Sequence, residues 1–172
     1  MGKMSRNKGK DFERQVANWL KGYGYTDAMR SAQHSGKAGD AADVVGLPGI
    51  HIECKAVETC NIWAWLDQAD RDSAGTGNIP VVIWKRNRMP WLVVMRLESF
   101  LDFRVFRGFG IPDVGFHIYE GRQSRLYDWL DEVKEFMPAG VEPAVKFTHL
   151  VHGPIVAMYA ESFIRLYHEE GD

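Results

Sequence analysis

Cysteine is scarce in this chain. Only Cys54 and Cys60 occur among 172 residues, and their spacing fits neither a zinc pattern nor a dithiol redox motif, which argues against a disulfide framework or a cysteine metal centre. Both are read as inert thiols. Long hydrophobic runs are missing too: nothing approaches the roughly 18 apolar residues of a membrane span. The start, Met1-Gly-Lys-Met-Ser-Arg-Asn-Lys, is basic but lacks the apolar stretch of a signal peptide. The expectation is a cytoplasmic protein with no membrane association. There is no glycine-rich phosphate loop, no Ser-His-Asp set, no dinucleotide fingerprint and no internal repeat. A large charge excess is also absent, since 21 Lys plus Arg face 23 Asp plus Glu, a net charge of -2, and 45% of residues are hydrophobic. That balance excludes a disordered chain and is ample for a buried core.

The charge that is present is unevenly spread. Residues 1–40 carry a net +4, residues 41–103 a net -2 and residues 104–172 a net -4. A near-neutral total argues against phosphate-backbone binding, yet the basic front hints at nucleic-acid contact, with ordinary solvated surface charge as the competing reading.

Periodicity supplies the elements. Phe12, Val16, Trp19 and Leu20 recur at helical spacing and predict a helix from about Lys8 to Gly22. A short strand fits residues 28–33, followed by the loop Ser35-Gly36-Lys37-Ala38-Gly39. Residues 42–46 and 50–57 read as a hairpin about Leu47-Pro48-Gly49, residues 62–71 as a second helix, and residues 79–84 and 91–96 as another strand pair around Lys85-Arg86-Asn87-Arg88. Helix, strands, helix, strands is an α/β layer arrangement. After Phe103 the pattern weakens. Leu126, Trp129, Leu130, Val133 and Phe136 predict one helix, and Ile155, Met158, Tyr159, Phe163 and Leu166 another.

The chemistry concentrates in Asp43-Val-Val-Gly-Leu-Pro-Gly-Ile-His-Ile-Glu53-Cys54-Lys55. Side chains alternate along a strand, so Glu53 and Lys55 share one face with Asp43 beside them, while Ile52 and Cys54 turn to the other. Two carboxylates and an ammonium together can hold a divalent cation and position a water. Glu13 lies three, four and seven residues before Val16, Ala17 and Leu20, on or beside the buried stripe, and an acid there needs a partner. The plainer readings are that Glu13 pairs with Arg14 or Lys21, and that Glu53 and Lys55 form an ion pair on an exposed strand. His149 and His152 lack a third ligand nearby in sequence, so no metal site is expected there. Trp19, Trp84 and Trp91 are read as core or interface, and Trp63 and Trp65, two apart, cannot both face one core.

Taken in order, Lys8-Gly9-Lys10-Asp11-Phe12-Glu13-Arg14, then Arg30-Ser31, the small-residue loop, Asp43-Val-Val-Gly, Glu53-Cys54-Lys55 and Gly77-Asn78-Ile79-Pro80-Val81-Val82 resemble the PD-(D/E)xK nuclease superfamily, specifically archaeal-type Holliday junction resolvases and their phage relatives. Ala42 stands where a proline is often found in that superfamily, and Asp40 is a competing nearby acid. The resemblance covers residues 5 to about 100. It implies an α/β, restriction-endonuclease-like core over residues 1–103, a mixed central sheet flanked by helices; residues 104–172 have no counterpart in it and are read from their helical spacing as a mainly helical C-terminal extension of unknown role.

The resemblance also implies roles. Glu13, Asp43 and Glu53 would bind Mg²⁺, with Mn²⁺ as a substitute and the Cys54 backbone carbonyl assisting. Lys55 would orient or activate the attacking water. Arg30, Ser35 and Lys37 would contact phosphate, with Lys8, Lys10 and Arg14 extending the basic surface and His34 near it. Gln68 would face the site, its plainer reading being a solvated helix residue. The implied activity is structure-selective cleavage of four-way DNA junctions by a homodimer, in a bacterial, archaeal or phage-infected cell. A restriction-like or repair nuclease of the same superfamily, or a catalytically silent DNA-binding protein, are the alternatives.

Overall fold

The computed structural model describes residues 3–31, 42–106, 117–119, 125–136 and 143–168. His34, Ser35, Lys37 and Asp40 lie outside these residues. The chain packs as two compact units, Met1–Asn87 and Arg88–Asp172.

In the first unit, α1 (Lys3–Gly22) buries Phe12, Val16, Ala17 and Leu20, the stripe its spacing predicts, and begins a turn earlier than expected. It stops where Tyr25 N–H bonds back to the Leu20 carbonyl and Gly24 adopts φ 95°, a left-handed C-cap that glycine adopts without strain. Strands β1 (Met29–Arg30), β2 (Val44–Val45) and β3 (Ile50–Ala56) run antiparallel in that order, and β4 (Ile79–Lys85) pairs parallel with β3. The predicted hairpin is therefore present, with Asp43 N–H donating to the Ile52 carbonyl. Its turn depends on Gly46, at φ 101°, where an added Cβ would meet Ala28 Cα at 2.5 Å and Asp27 O at 2.8 Å. No larger residue fits there unless the backbone moves.

Helices cover both faces of β3 and β4. Lys55 and Trp84 are in register, and on that side Trp84 packs against Trp65 of α2 (Ile62–Ser73), ring centroids 5.6 Å apart. Ala56 and Lys85 face the other way, where Lys85 Nζ donates to Gln15 of α1 at 2.7 Å. Parallel pairing needs such a crossover and burial on both faces. Trp63 is half-buried while Trp65 is buried, as their two-residue offset requires.

The second unit contains β5 (Leu92–Arg96), α3 (Leu97–Phe106), β6 (His117–Tyr119), α4 (Leu126–Phe136), β7 (Ala144–His149), β8 (Gly153–Tyr159) and α5 (Ala160–His168). Strand β8 pairs antiparallel with both β5 and β7, and β6 pairs parallel with β7. The packing boundary at Asn87 precedes Phe103 because β5 pairs with β8 along its whole length, and α3 packs on the same two strands. The single helix expected over residues 155–166 is instead strand β8 followed by α5. Ile155, Val156, Ala157 and Met158 are all fully buried, and a strand covered on both faces shows no alternation from which a period of two could be read. The turn between β7 and β8 exposes Leu150 and Val151 almost completely, while His149 Nδ1 accepts the Val151 N–H at 3.2 Å and shapes that turn. His149 and His152 thus lie at a hairpin end, and their rings pack 5.0 Å apart. Among the described residues no helix is long and apolar enough to cross a membrane.

Candidate active site

The hairpin brings Asp43 against β3. Its Oδ2 accepts the Cys54 N–H at 2.8 Å, a bond to the strand that carries the other acid. Asp43 is 9% exposed and Glu53 2%, so the exposed-strand reading of Glu53 and Lys55 does not hold. The two do form an ion pair, with Lys55 Nζ 2.6 Å from Glu53 Oε1, but it sits under α2. From α2, Gln68 Oε1 accepts a second bond from Lys55 Nζ at 3.0 Å. Two acceptors on different elements fix the ammonium in place, and Gln68 is no solvated bystander.

Burial and mutual repulsion act on both acids. Desolvation raises the Asp43 carboxyl above its ordinary range; the Cys54 N–H opposes this and the charge of Glu13 adds to it. Glu53 is pushed up to about 7, first by burial and next by the Asp43 charge, against the pull of Lys55. Asp72 contributes in the same upward direction. Sequence reasoning passed over Asp72; the available signal was its place four residues after Gln68, on the same face of a helix.

Glu13 pairs with neither Arg14 nor Lys21. It forms an ion pair with Arg30 of β1, their side chains 14% and 27% exposed. Arg14 instead bonds Asp11 at 2.7 Å on the surface, and Lys8 is exposed near Glu58 at 3.7 Å. Lys10 is exposed on α1. The structure thus brings Glu13, Arg30, Asp43, Glu53, Lys55 and Gln68 into one electrostatic neighbourhood, while Lys8, Lys10 and Arg14 lie on the exposed side of the first helix. Cys60 has its thiol raised to about 11 by burial and is protonated at neutral pH, which suits an inert role.

When Glu53 is ionised, its Oε2 is buried and finds no hydrogen-bond donor among the described residues. Such an oxygen is costly unless something positive completes it. Together with the Asp43 carboxylate it makes a hard-oxygen donor pair of the kind that Mg²⁺ takes while keeping several waters. No group of three His, Cys, Asp or Glu residues converges for a metal among the described residues, and Glu13 is ion-paired with Arg30. The residues therefore fit a divalent cation through two carboxylates.

No curated protein and no solved structure matches the chain. A buried acid pair on a hairpin, a lysine two residues after the second acid and an opening helix bearing a third acid are what a PD-(D/E)xK site requires, and the family model described as "Phage putative PDDEXK endonuclease" matches residues 4–130. That match spans most of the chain, and the protein belongs to this phage PDDEXK endonuclease family.

Proposed function

We propose that the chain is a divalent-metal-dependent DNA endonuclease that resolves four-way junctions as a homodimer, each subunit nicking one strand. The observation that carries the hydrolytic reading is the buried Asp43 and Glu53 pair with Lys55 fixed between Glu53 and Gln68. PDDEXK nucleases typically use divalent metals, and here Asp43, Glu53 and the Cys54 carbonyl would hold Mg²⁺ or Mn²⁺, with Glu13 joining on release from Arg30. The metal would supply Lewis acidity toward a phosphate oxygen and a more acidic bound water. Lys55 orients the attacking water and offsets charge that builds on the phosphate. Gln68 keeps that ammonium aimed. Arg30, Ser35 and Lys37 would contact the DNA backbone, and Lys8, Lys10 and Arg14 would extend a positive track along α1.

The junction assignment rests on the resemblance of Glu13, Arg30-Ser31, Asp43-Val-Val-Gly and Glu53-Cys54-Lys55 to the resolvases, and two-fold symmetry of a homodimer suits paired nicks. The site of action would be the cytoplasm of a phage-infected cell. A panel of mobile four-way junction, flap, linear duplex and single strand in Mg²⁺, run beside Asp43→Asn, tests the reading. Preferential symmetric cutting of the junction is expected. Preference for linear duplex would make it a restriction-like or repair nuclease, and binding without cutting of any DNA would make it a silent DNA-binding protein.

A further inference from the structure

Resting on the nuclease reading above, we propose that the hollow beyond the C-terminal end of β3 receives an adenine swung out of the DNA stack near the cut phosphate, and that Asn61 reads the edge of that base. The hollow has a volume of about 700 Å³ and is open to solvent, a size common for small-molecule sites. Val57 and Trp65 give it apolar surface, Thr59 and Asn61 supply polar groups, and Lys8 and Glu58 complete its lining. Its place follows from the chain. Val57 stands two residues after Lys55, about 7 Å along an extended backbone. On α2, Asn61, Trp65, Gln68 and Asp72 share one stripe, and Gln68 is bonded to Lys55 at 3.0 Å. The hollow therefore lies next beyond Lys55, two or three times the ~3.4 Å rise of a DNA strand away.

Asn61 carries the assignment. It sits at the N-cap of α2, where its carbonyl accepts the Trp65 N–H at 3.2 Å, yet its side chain makes no cap bond. An asparagine at that position ordinarily satisfies one of the unpaired N–H groups of the first turn. Here the carboxamide is left for another partner, and it lines the hollow. A carboxamide sets a donor beside an acceptor, and that pair matches N7 and the N6 amine of adenine. The face of a base is sequence-tolerant apolar surface and suits Val57 and Trp65. Val57 is itself held in place, since Trp84 Nε1–H donates to its carbonyl at 2.9 Å. Charge also favours a nucleotide. Glu58 lies 3.7 Å from Lys8 and 3.9 Å from Arg86 and accepts the Asn87 N–H at 3.1 Å, so two cations meet one carboxylate and leave this wall positive toward a phosphate. Extrusion costs least for a base that is already poorly paired or stacked, as at a branch point. The hollow thus supplies a preference for branched over linear DNA at a place apart from the acids.

The test uses four-way junction DNA and the full chain in EDTA, so that binding is read without cleavage. 2-Aminopurine is set beside each base around the branch point, one position at a time, and brightens when its stacked neighbour leaves. One position is expected to brighten several-fold, within about three nucleotides of the cut made in Mg²⁺. With that neighbour changed among the four bases, fluorescence anisotropy should show adenine bound about tenfold more tightly than the others. Asn61→Ser keeps a good N-cap residue and so keeps the helix, which its melting curve checks, and it should shrink the adenine preference to within about twofold. Ala64→Ser, exposed on the same helix, should match wild type. No brightening, brightening far from the cut, no adenine preference, or a preference that survives Asn61→Ser overturns the subsite, and so does an equal loss in Ala64→Ser. Failure of the nuclease reading shows separately, as wild-type protein that cuts no DNA in Mg²⁺; the brightening and its dependence on Asn61 are read without cutting.

Discussion

Strands β3 and β8 are each seven residues long and each lies between two partners in its own unit. In β8 the buried run is Ile155, Val156, Ala157 and Met158, all apolar. In β3 the buried run is Ile50, His51, Ile52 and Glu53. One strand uses double-sided burial to exclude water from hydrocarbon. The other uses the same position to strip water from a carboxylate, which destabilises the fold and raises the acid's affinity for a proton. The difference separates a strand that exists for stability from one that gives some of it up for chemistry.

The widest separation should come from activity. Asp43→Asn, Glu53→Gln or Lys55→Ala is expected to lower cleavage by about a thousandfold or more, as loss of a group acting only in the transition state does, with DNA binding largely kept; gel assays beside anisotropy measure both, and wild-type rates in any of the three would remove that residue from the mechanism. Next in size, placing a β3-like acid in β8 through Ala157→Glu should cost on the order of 4 kcal/mol, because its registered neighbours Val94 and Val145 are buried and apolar and give a charge no partner. Urea unfolding reads it, and a near-neutral result would mean that β8 tolerates what β3 had to arrange.

A smaller effect runs in the opposite sense. With a folded value near 7 against an ordinary 4.5, Glu53 is protonated in both states below pH 4.5; between 4.5 and 7 the unfolded chain loses its proton first, so stability falls as pH rises, and above 7 the full penalty applies. Metal-free Glu53→Gln should therefore be more stable than wild type at pH 8, by on the order of 2–3 kcal/mol, and its stability should change less from pH 4.5 to 7. Melting curves across that range check this, and added Mg²⁺ should narrow the gap by stabilising wild type alone. Smallest of all, Lys8→Ala or Arg14→Ala should weaken DNA only a few-fold and reduce the salt slope by about 1, with cleavage of bound DNA unchanged; a large loss of turnover would place them nearer the reacting phosphate.

The same contrast explains what could be read from residues alone. The hairpin was legible because Leu47-Pro48-Gly49 punctuates two β-rich runs, and the acid pair because Asp43 and Glu53 fall on it with Lys55 in alternation. The α1 stripe was legible from a period of 3.6. Strand β8 was not, because Ile155, Met158 and Tyr159 are helically spaced by accident within a run that is apolar on both faces. The Glu13 and Arg30 pair was invisible for another reason. It depends on β1 joining β2, with Arg30 opposite Val44, a long-range register that local spacing does not encode. Gln68 was legible only as a polar residue on the right helix; its bond to Lys55 needed the crossover of α2 onto β3.

Gly46 carries a lesson for mutational tolerance. It is exposed, on a turn, and would be classed by surface area among the most replaceable residues of the chain. Yet the backbone of Asp27 and Ala28 lies where a methyl group would have to go, and Asp43 is only three residues upstream. A library randomised at this position and sorted for cleavage should return glycine almost alone, while the exposed Pro48 beside it accepts many replacements. Evolvability along this hairpin is set by backbone clearance and not by solvent access.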